Sequence, residues 1–176
     1  MVIRSTKIDG LKIREATAAD VPIILGFIRE LAEFERLTHE VVATEEIMCR
    51  SLYGERRVAE VLIGFVNGVP RGFVLFFHNF STFLGRPGIY IEDLYVQPAY
   101  RRMGIGRALL TSVARIARER QCGRVEWAVL DWNKRAIKFY EDLGAIPMSD
   151  WTVYRLTGRA LERAAEEAQP PHTEEA

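Results

Sequence analysis

Residues 97–107 read Gln-Pro-Ala-Tyr-Arg-Arg-Met-Gly-Ile-Gly-Arg and join an apolar, strand-like run to an amphipathic helical pattern. Glycines at 104 and 106 let backbone approach an anion closely, and the helix that follows offers free N–H groups at the positive end of its dipole. This is a turn suited to pyrophosphate, with Arg101, Arg102 and Arg107 adding positive charge around it. A Walker turn would need Gly-Lys-Ser/Thr, which is missing, and a GxGxxG turn would want a small residue where Leu109 stands. The plainer alternative is a tight strand-to-helix connection carrying solvated arginines.

A second group of candidate residues lies at 129–140, where a strand pattern gives way to a helix. Ala136, Phe139, Tyr140 and Leu143 fall at helical spacing, so Tyr140 taken alone reads as a core aromatic with its hydroxyl satisfied. Asn133 has a sufficient structural role as the N-cap of that helix, and Gly144 stands just past its end. Glu92, on the strand before the phosphate turn, reads by itself as a solvated strand carboxylate. Strand alternation sends Asp93 to the opposite face.

The elements that position these residues follow from apolar periodicity. A strand is expected over 11–16, then a helix started by Asp20-Val21-Pro22 with Ile24, Phe27, Ile28, Leu31 and Phe34 on one face. A shorter helix should follow Thr44. Two strands, 58–66 and 69–77, flank Asn67-Gly68, a dipeptide suited to a tight hairpin. Residues 80–88 read as a loop, 89–96 as a strand, and 105–117 as a helix with Ile105, Leu109, Val113 and Ile116 inward. A strand over 125–130, a helix over 134–143 and a last strand over 151–156 complete the order, which implies an α/β (mixed α+β) fold with helices on both faces of a central mixed sheet.

The chain of 176 residues suits a single domain over 1–157, followed by an acidic tail, 158–176, expected to be frayed helix and then disordered. The tail carries a net charge of −3 and the remainder +3, which suits an anionic ligand but falls short of a nucleic-acid-binding footprint. A composition 48% hydrophobic and 27% charged, without a long apolar run or an apolar leader, points to a soluble cytoplasmic protein with no membrane partner. Cys49 and Cys122 are expected to be buried structural thiols, and no Cys/His cluster suggests a metal.

Taken together, Arg101-Arg102-x-Gly104-x-Gly106 resembles the acetyl-CoA turn of the GNAT acetyltransferases, and Asn133…Ala136…Phe139-Tyr140…Leu143-Gly144 resembles their second cofactor motif. Residues 90–96, 131–133 and 31–35 look like the diamine (spermidine/spermine) acetyltransferase branch. The resemblance spans about 13–156. It implies splayed strands at the cofactor site, with acetyl-CoA held by Leu94, Tyr95, Val96, the turn Arg101, Arg102, Met103, Gly104, Ile105, Gly106 and Arg107, and Asn133, Ala136 and Tyr140. It also implies Glu92 as proton acceptor, directly or through water, Tyr140 as proton donor, and a homodimer.

A small-molecule amine is the implied acceptor. A cationic amine is drawn to acidic groups, for which Glu30, Glu33, Glu35, Glu92 and Asp150 are candidates. A polyamine, a diamine and a lysine-like amino acid all remain open. So do two other readings: a noncatalytic coenzyme A-binding module, and a protein N-acetyltransferase whose peptide groove the loop 80–88 would have to leave open.

Overall fold

The computed structural model describes the backbone of residues 3–5 and residues 9–167. It divides into two compact units, Met1–Ala128 and Val129–Ala176. The first unit holds a six-stranded sheet in chain order: β1 (Ile3–Ser5), β2 (Leu11–Glu15), β3 (Glu60–Val66), β4 (Val69–Ser81), β5 (Arg86–Val96) and β6 (Val125–Trp127). Every pairing is antiparallel except β5 with β6, which makes the sheet mixed as expected.

Alternation along the strands sets the two faces. Val61, Ile63, Phe73, Leu75 and Tyr95 pack with Ile24 and Phe27 of α1 (Val21–Glu35) and Leu52 of α2 (Glu45–Tyr53). Leu62, Val74 and Val96, one position out of phase, point to the other face. There α3 (Ile105–Glu119) buries Ile105, Leu109, Val113 and Ile116. Helices therefore cover both faces. Asn67 (φ 50°) and Gly68 (φ 81°) supply the two positive φ angles of the β3–β4 turn.

The start of α1 is pinned electrostatically. Arg14 on β2 donates from both terminal nitrogens to Asp20, each at 2.7 Å, and Asp20 also accepts from the Thr17 N–H (2.8 Å) and hydroxyl (2.9 Å). These donors, Arg14 foremost, hold the Asp20 carboxyl down at about 2 although burial works against them.

Four expectations change. The loop read over 80–88 is mostly strand: Asn79, Phe80 and Ser81 pair with Gly88, Pro87 and Arg86, leaving only 82–85 as the connection. Pro87 is tolerated because its carbonyl accepts from the Gly123 N–H (2.8 Å), so its missing N–H falls on the side away from β4. The strand read over 125–130 ends at Trp127, and 151–156 forms no strand, because its backbone has no neighbouring strand to pair with among the described residues. Cys49 is exposed and Cys122 half-buried, so neither is a core thiol. The short β1 was not anticipated: its three residues carry too little apolar pattern, and only β2 gives them a partner.

In the second unit α4 (Lys134–Glu141) and α5 (Gly158–Glu166) are both amphipathic, and neither buries a residue fully. The expected disordered end of the tail, residues 168–176, lies outside the described residues.

Candidate active site

β5 is bonded along one edge and open along part of the other. Its parallel pairing with β6 covers only Ile89–Ile91 against Val125–Trp127, so beyond Ile91 no strand among the described residues pairs with that edge. The Gln97 N–H donates to the Arg71 carbonyl (3.0 Å), which places residues of that phase toward β4 and turns Leu94 and Val96 toward the open edge. The Val96 carbonyl on that edge accepts from Arg101 Nε at 3.0 Å. On the closed edge β4 lies very near, because Gly72 has no Cβ: one there would sit 2.6 Å from the Tyr95 carbonyl oxygen.

Glu92 marks the point where the edge opens. Leu75 pairs with Asp93 and Phe76 with Ile91, so Glu92 is the extra residue of a β-bulge and its side chain is exposed. Bulges re-aim side chains, and this one sits at the start of the unpaired stretch.

A single 3-10 turn, Pro98–Tyr100, then leads into the glycine turn. Arg102 (φ 68°) and Gly104 (φ 84°) are both left-handed, and Gly104 is the N-cap of α3 with no side-chain cap bond. The first intrahelical acceptor is the Gly104 carbonyl, bonded by the Ala108 N–H at 2.9 Å, so the N–H groups of Ile105, Gly106 and Arg107 remain for an anion. A Cβ at Gly106 would meet only Val96 Cγ2, at an ordinary 3.7 Å. The strict glycine requirement therefore lies at 104. Arg102, Met103 and Arg107 are exposed, whereas the Ile105 side chain belongs to the core.

Not every expected side chain is available. Glu30 accepts from the Tyr95 hydroxyl and from Gln97, and the Arg101 guanidinium lies over Phe34 and Tyr95, so both Glu30 and Arg101 are engaged within the protein. Tyr95 is 4% exposed and shares the phase of Gln97, so its backbone groups face β4 and neither they nor its side chain reach the open edge, contrary to the expectation that it holds the coenzyme.

Sequence reasoning passed over one group. Asp93 is half-buried beside Glu35 in a cavity of about 280 Å³, otherwise walled largely by Ile28, Leu31, Leu37 and Val41. Burial pushes the Asp93 carboxyl up to about 6, with help from the negative charges of Glu92 and Glu35. Burial also raises Glu35. Simple alternation, which would send Asp93 to the face opposite Glu92, does not hold across this bulge: Asp93 pairs with Leu75 of the α1-side core, and only the packing of α1 against β5 reveals that this face is a cavity. An adjoining cleft of about 370 Å³ is lined by Arg29, Glu30, Glu33, Thr38 and Val41.

In the second unit the Asn133 side chain accepts from the Ala136 N–H at 3.2 Å, the expected N-cap, and Gly144 (φ 86°) ends the helical segment. Tyr140 is half-buried, its ring 5.2 Å from that of Phe139. Asp150 is exposed.

An open-edged mixed sheet that runs into an uncapped, glycine-led helix is an architecture suited to a phosphate-bearing coenzyme. The chain belongs to the acetyltransferase (GNAT) family, which it matches over residues 27–145, and it is an acetyl-transferring enzyme. It is 37% identical to L-ornithine N5-acetyltransferase of Arabidopsis thaliana, over 86% of each chain. It is likewise 37% identical to thialysine N-epsilon-acetyltransferase of Mus musculus, over 88% of this chain and 96% of the mouse protein. Among solved structures, an integron cassette protein of V. cholerae superposes with a TM-score of 0.76 at 24% identity, covering 89% of this chain and 98% of that one, which supports the fold alone.

Proposed function

We propose that this enzyme transfers the acetyl group of acetyl-CoA to the primary amine of a small aliphatic molecule, a polyamine, diamine or lysine-like amino acid. The observation that carries this reading is the open β5 edge leading directly into the uncapped α3 N-terminus, with an acidic, apolar-walled cavity on the other side of the same strand. The two relatives support it, since their names give L-ornithine and thialysine as acceptors.

Bound acetyl-CoA supplies a thioester carbonyl as electrophile and a thiolate as leaving group. The N–H groups of residues 105–107 would hold its pyrophosphate, with Arg102 and Arg107 screening the charge. The Leu94 N–H, directed to the open edge, would donate to the developing oxyanion. An alkylammonium with a pKa near about 10.4 is almost wholly protonated at neutral pH, so a base must take its proton. Glu92 has this role in the proposal, directly or through water. Asp93 and Glu35 would hold the cationic chain, with Glu33 and Asp150 as further acidic candidates. A bound cation also lowers the cost of ionising Asp93, so amine affinity is expected to rise as pH passes through about 6. Tyr140 would protonate the departing thiolate, whose own pKa near about 8.5 makes that help useful and not indispensable.

Two coarser parts of the proposal concern the setting. An exposed, unpaired Cys49 suits the reducing cytoplasm. A homodimer is supported by Trp151, Val153, Tyr154 and Leu156, which are strongly exposed and lie in a segment with no strand partner among the described residues. The connection 82–85 is too short to serve as a lid, so protein acetylation is not opposed on that ground. A panel of spermidine, a diamine, L-ornithine, thialysine and a peptide N-terminus, assayed with acetyl-CoA by thiol release and product mass, tests the proposal. Turnover confined to the peptide would overturn it.

A further inference from the structure

Glu30 and Phe34 stand one helical turn apart on α1 and reach the same short segment, Tyr95 to Arg101, from the same side. The Tyr95 hydroxyl donates to Glu30 Oε2 at 3.0 Å, and Gln97 Nε2 donates to both carboxylate oxygens at 3.2 and 3.3 Å. The Gln97 amide oxygen accepts from Arg71 at 3.1 Å, and the Arg71 guanidinium lies 4.2 Å over the Tyr100 ring. Arg101 closes the set: its Nε donates to the Val96 carbonyl, and its guanidinium lies 4.5 Å over Phe34 and 5.7 Å over Tyr95.

This segment is the piece of chain that carries the open edge of β5 into the left-handed residues of the phosphate turn. A rotation of a few degrees there would re-aim the N–H groups of residues 105–107, and an anion cradle works only while its donors converge. Among the turn's own side chains Ile105 anchors the start of α3 in the core, whereas Arg102, Met103 and Arg107 are exposed and do not grip the incoming strand. The grip comes from α1 and β4.

We infer that Glu30 and Arg101 are positioning residues: they fix the approach of the strand to the coenzyme-binding turn, and neither is a ligand for the amine or for phosphate. The inference rests on the acetyl-CoA reading above. Glu30 already accepts from two side chains and is poorly placed to give a full carboxylate to an ammonium. Arg101 spends its Nε on Val96 and its planar face on two rings, an arrangement that lysine cannot reproduce. Burial, aided by Glu30, pushes the Tyr95 phenol up to about 12, so it remains a donor across the working pH range.

Tyr95→Phe is the mild probe, because it removes one hydroxyl and keeps the ring in the core; Arg101→Lys is the second, because it keeps the charge. Coenzyme A affinity by calorimetry, KM for acetyl-CoA and for the amine, and amide hydrogen exchange of residues 101–107 without coenzyme are to be measured on the full chain. Both variants are expected to weaken coenzyme A binding about three- to tenfold, to leave the amine KM within twofold, and to speed exchange in the turn. The salt dependence of coenzyme A binding should run parallel to wild type, because no phosphate contact has been removed. In Glu30→Gln the acetyl-CoA KM should rise and the amine KM should not. A shallower salt slope in Arg101→Lys, or an amine KM that rises in Glu30→Gln, would overturn the assignment. Unchanged coenzyme A affinity and turn exchange in Tyr95→Phe would overturn it as well. A wild-type protein that binds no coenzyme A would overturn the functional reading itself, which is a different result from wild-type binding that the variants leave intact.

Discussion

Asp20, where β2 hands over to α1, and Asp93, just past the bulge of β5, are carboxylates withdrawn from solvent, and they respond to withdrawal in opposite ways. Asp20 is held at about 2 by the Arg14 fork and the Thr17 donors, whereas Asp93 is pushed up to about 6 by burial and by Glu92 and Glu35. The first region has its countercharge built in. The second collects acidic groups around an apolar-walled cavity and no cation of the protein lines it. A carboxylate whose partner is internal stabilises the fold; one without such a partner costs stability until a cation arrives from outside.

The largest expected effect lies on the structural side. Asp20→Ala leaves Arg14 without its partner and removes the acceptor for Thr17, at a cost of about 3 kcal/mol. The wild-type contribution is fully present above the unfolded-state value near 3.8 and is lost as pH falls through about 2, so urea melts of wild type and variant should converge at low pH. Activity per folded molecule should be unchanged. A variant as stable as wild type at pH 7 would remove the internal pair from the comparison.

On the functional side, Glu92→Gln should lower turnover about a hundredfold at neutral pH without lowering the melting temperature, since the side chain is exposed. Raising the pH should recover part of the loss as free amine accumulates. Tyr140→Phe should lose a smaller factor, about tenfold, and that loss should persist to higher pH because its effect lies on the leaving thiolate. Wild-type turnover in Glu92→Gln across neutral pH would show that the bulge presents no base.

The smallest effect sharpens the contrast. Native Asp93 holds its proton more tightly than the unfolded chain does, so this group lowers stability as pH rises from about 4 through about 6. Asp93→Asn should match wild type near pH 4 and be the more stable of the two at pH 8. The same substitution should weaken amine binding. Parallel stability profiles for the two proteins would mean that Asp93 is not held protonated by its surroundings.

Much of this was legible in the residues themselves. Asn67-Gly68 specified its turn, Asn133 and Gly144 bounded α4, and Gly104 with an amphipathic helix behind it specified the start of α3, because each depends on local backbone geometry and nearest neighbours. Family membership was legible for the same reason, since both motifs are short and local. What lay beyond the sequence depends on partners distant along the chain. Strand 125–130 stops at Trp127 and 151–156 forms no strand, since pairing is decided by which backbone lies alongside. Glu30 and Arg101 looked like free charges, and only the packing of α1 against β5 supplied Tyr95, Gln97 and Phe34 as their partners. That same packing turned Asp93 from a residue on the unremarked face into the carboxylate of a cavity. Charge type is written in the sequence, but whether a charge is satisfied depends on the few ångströms around it, and only the tertiary structure sets those.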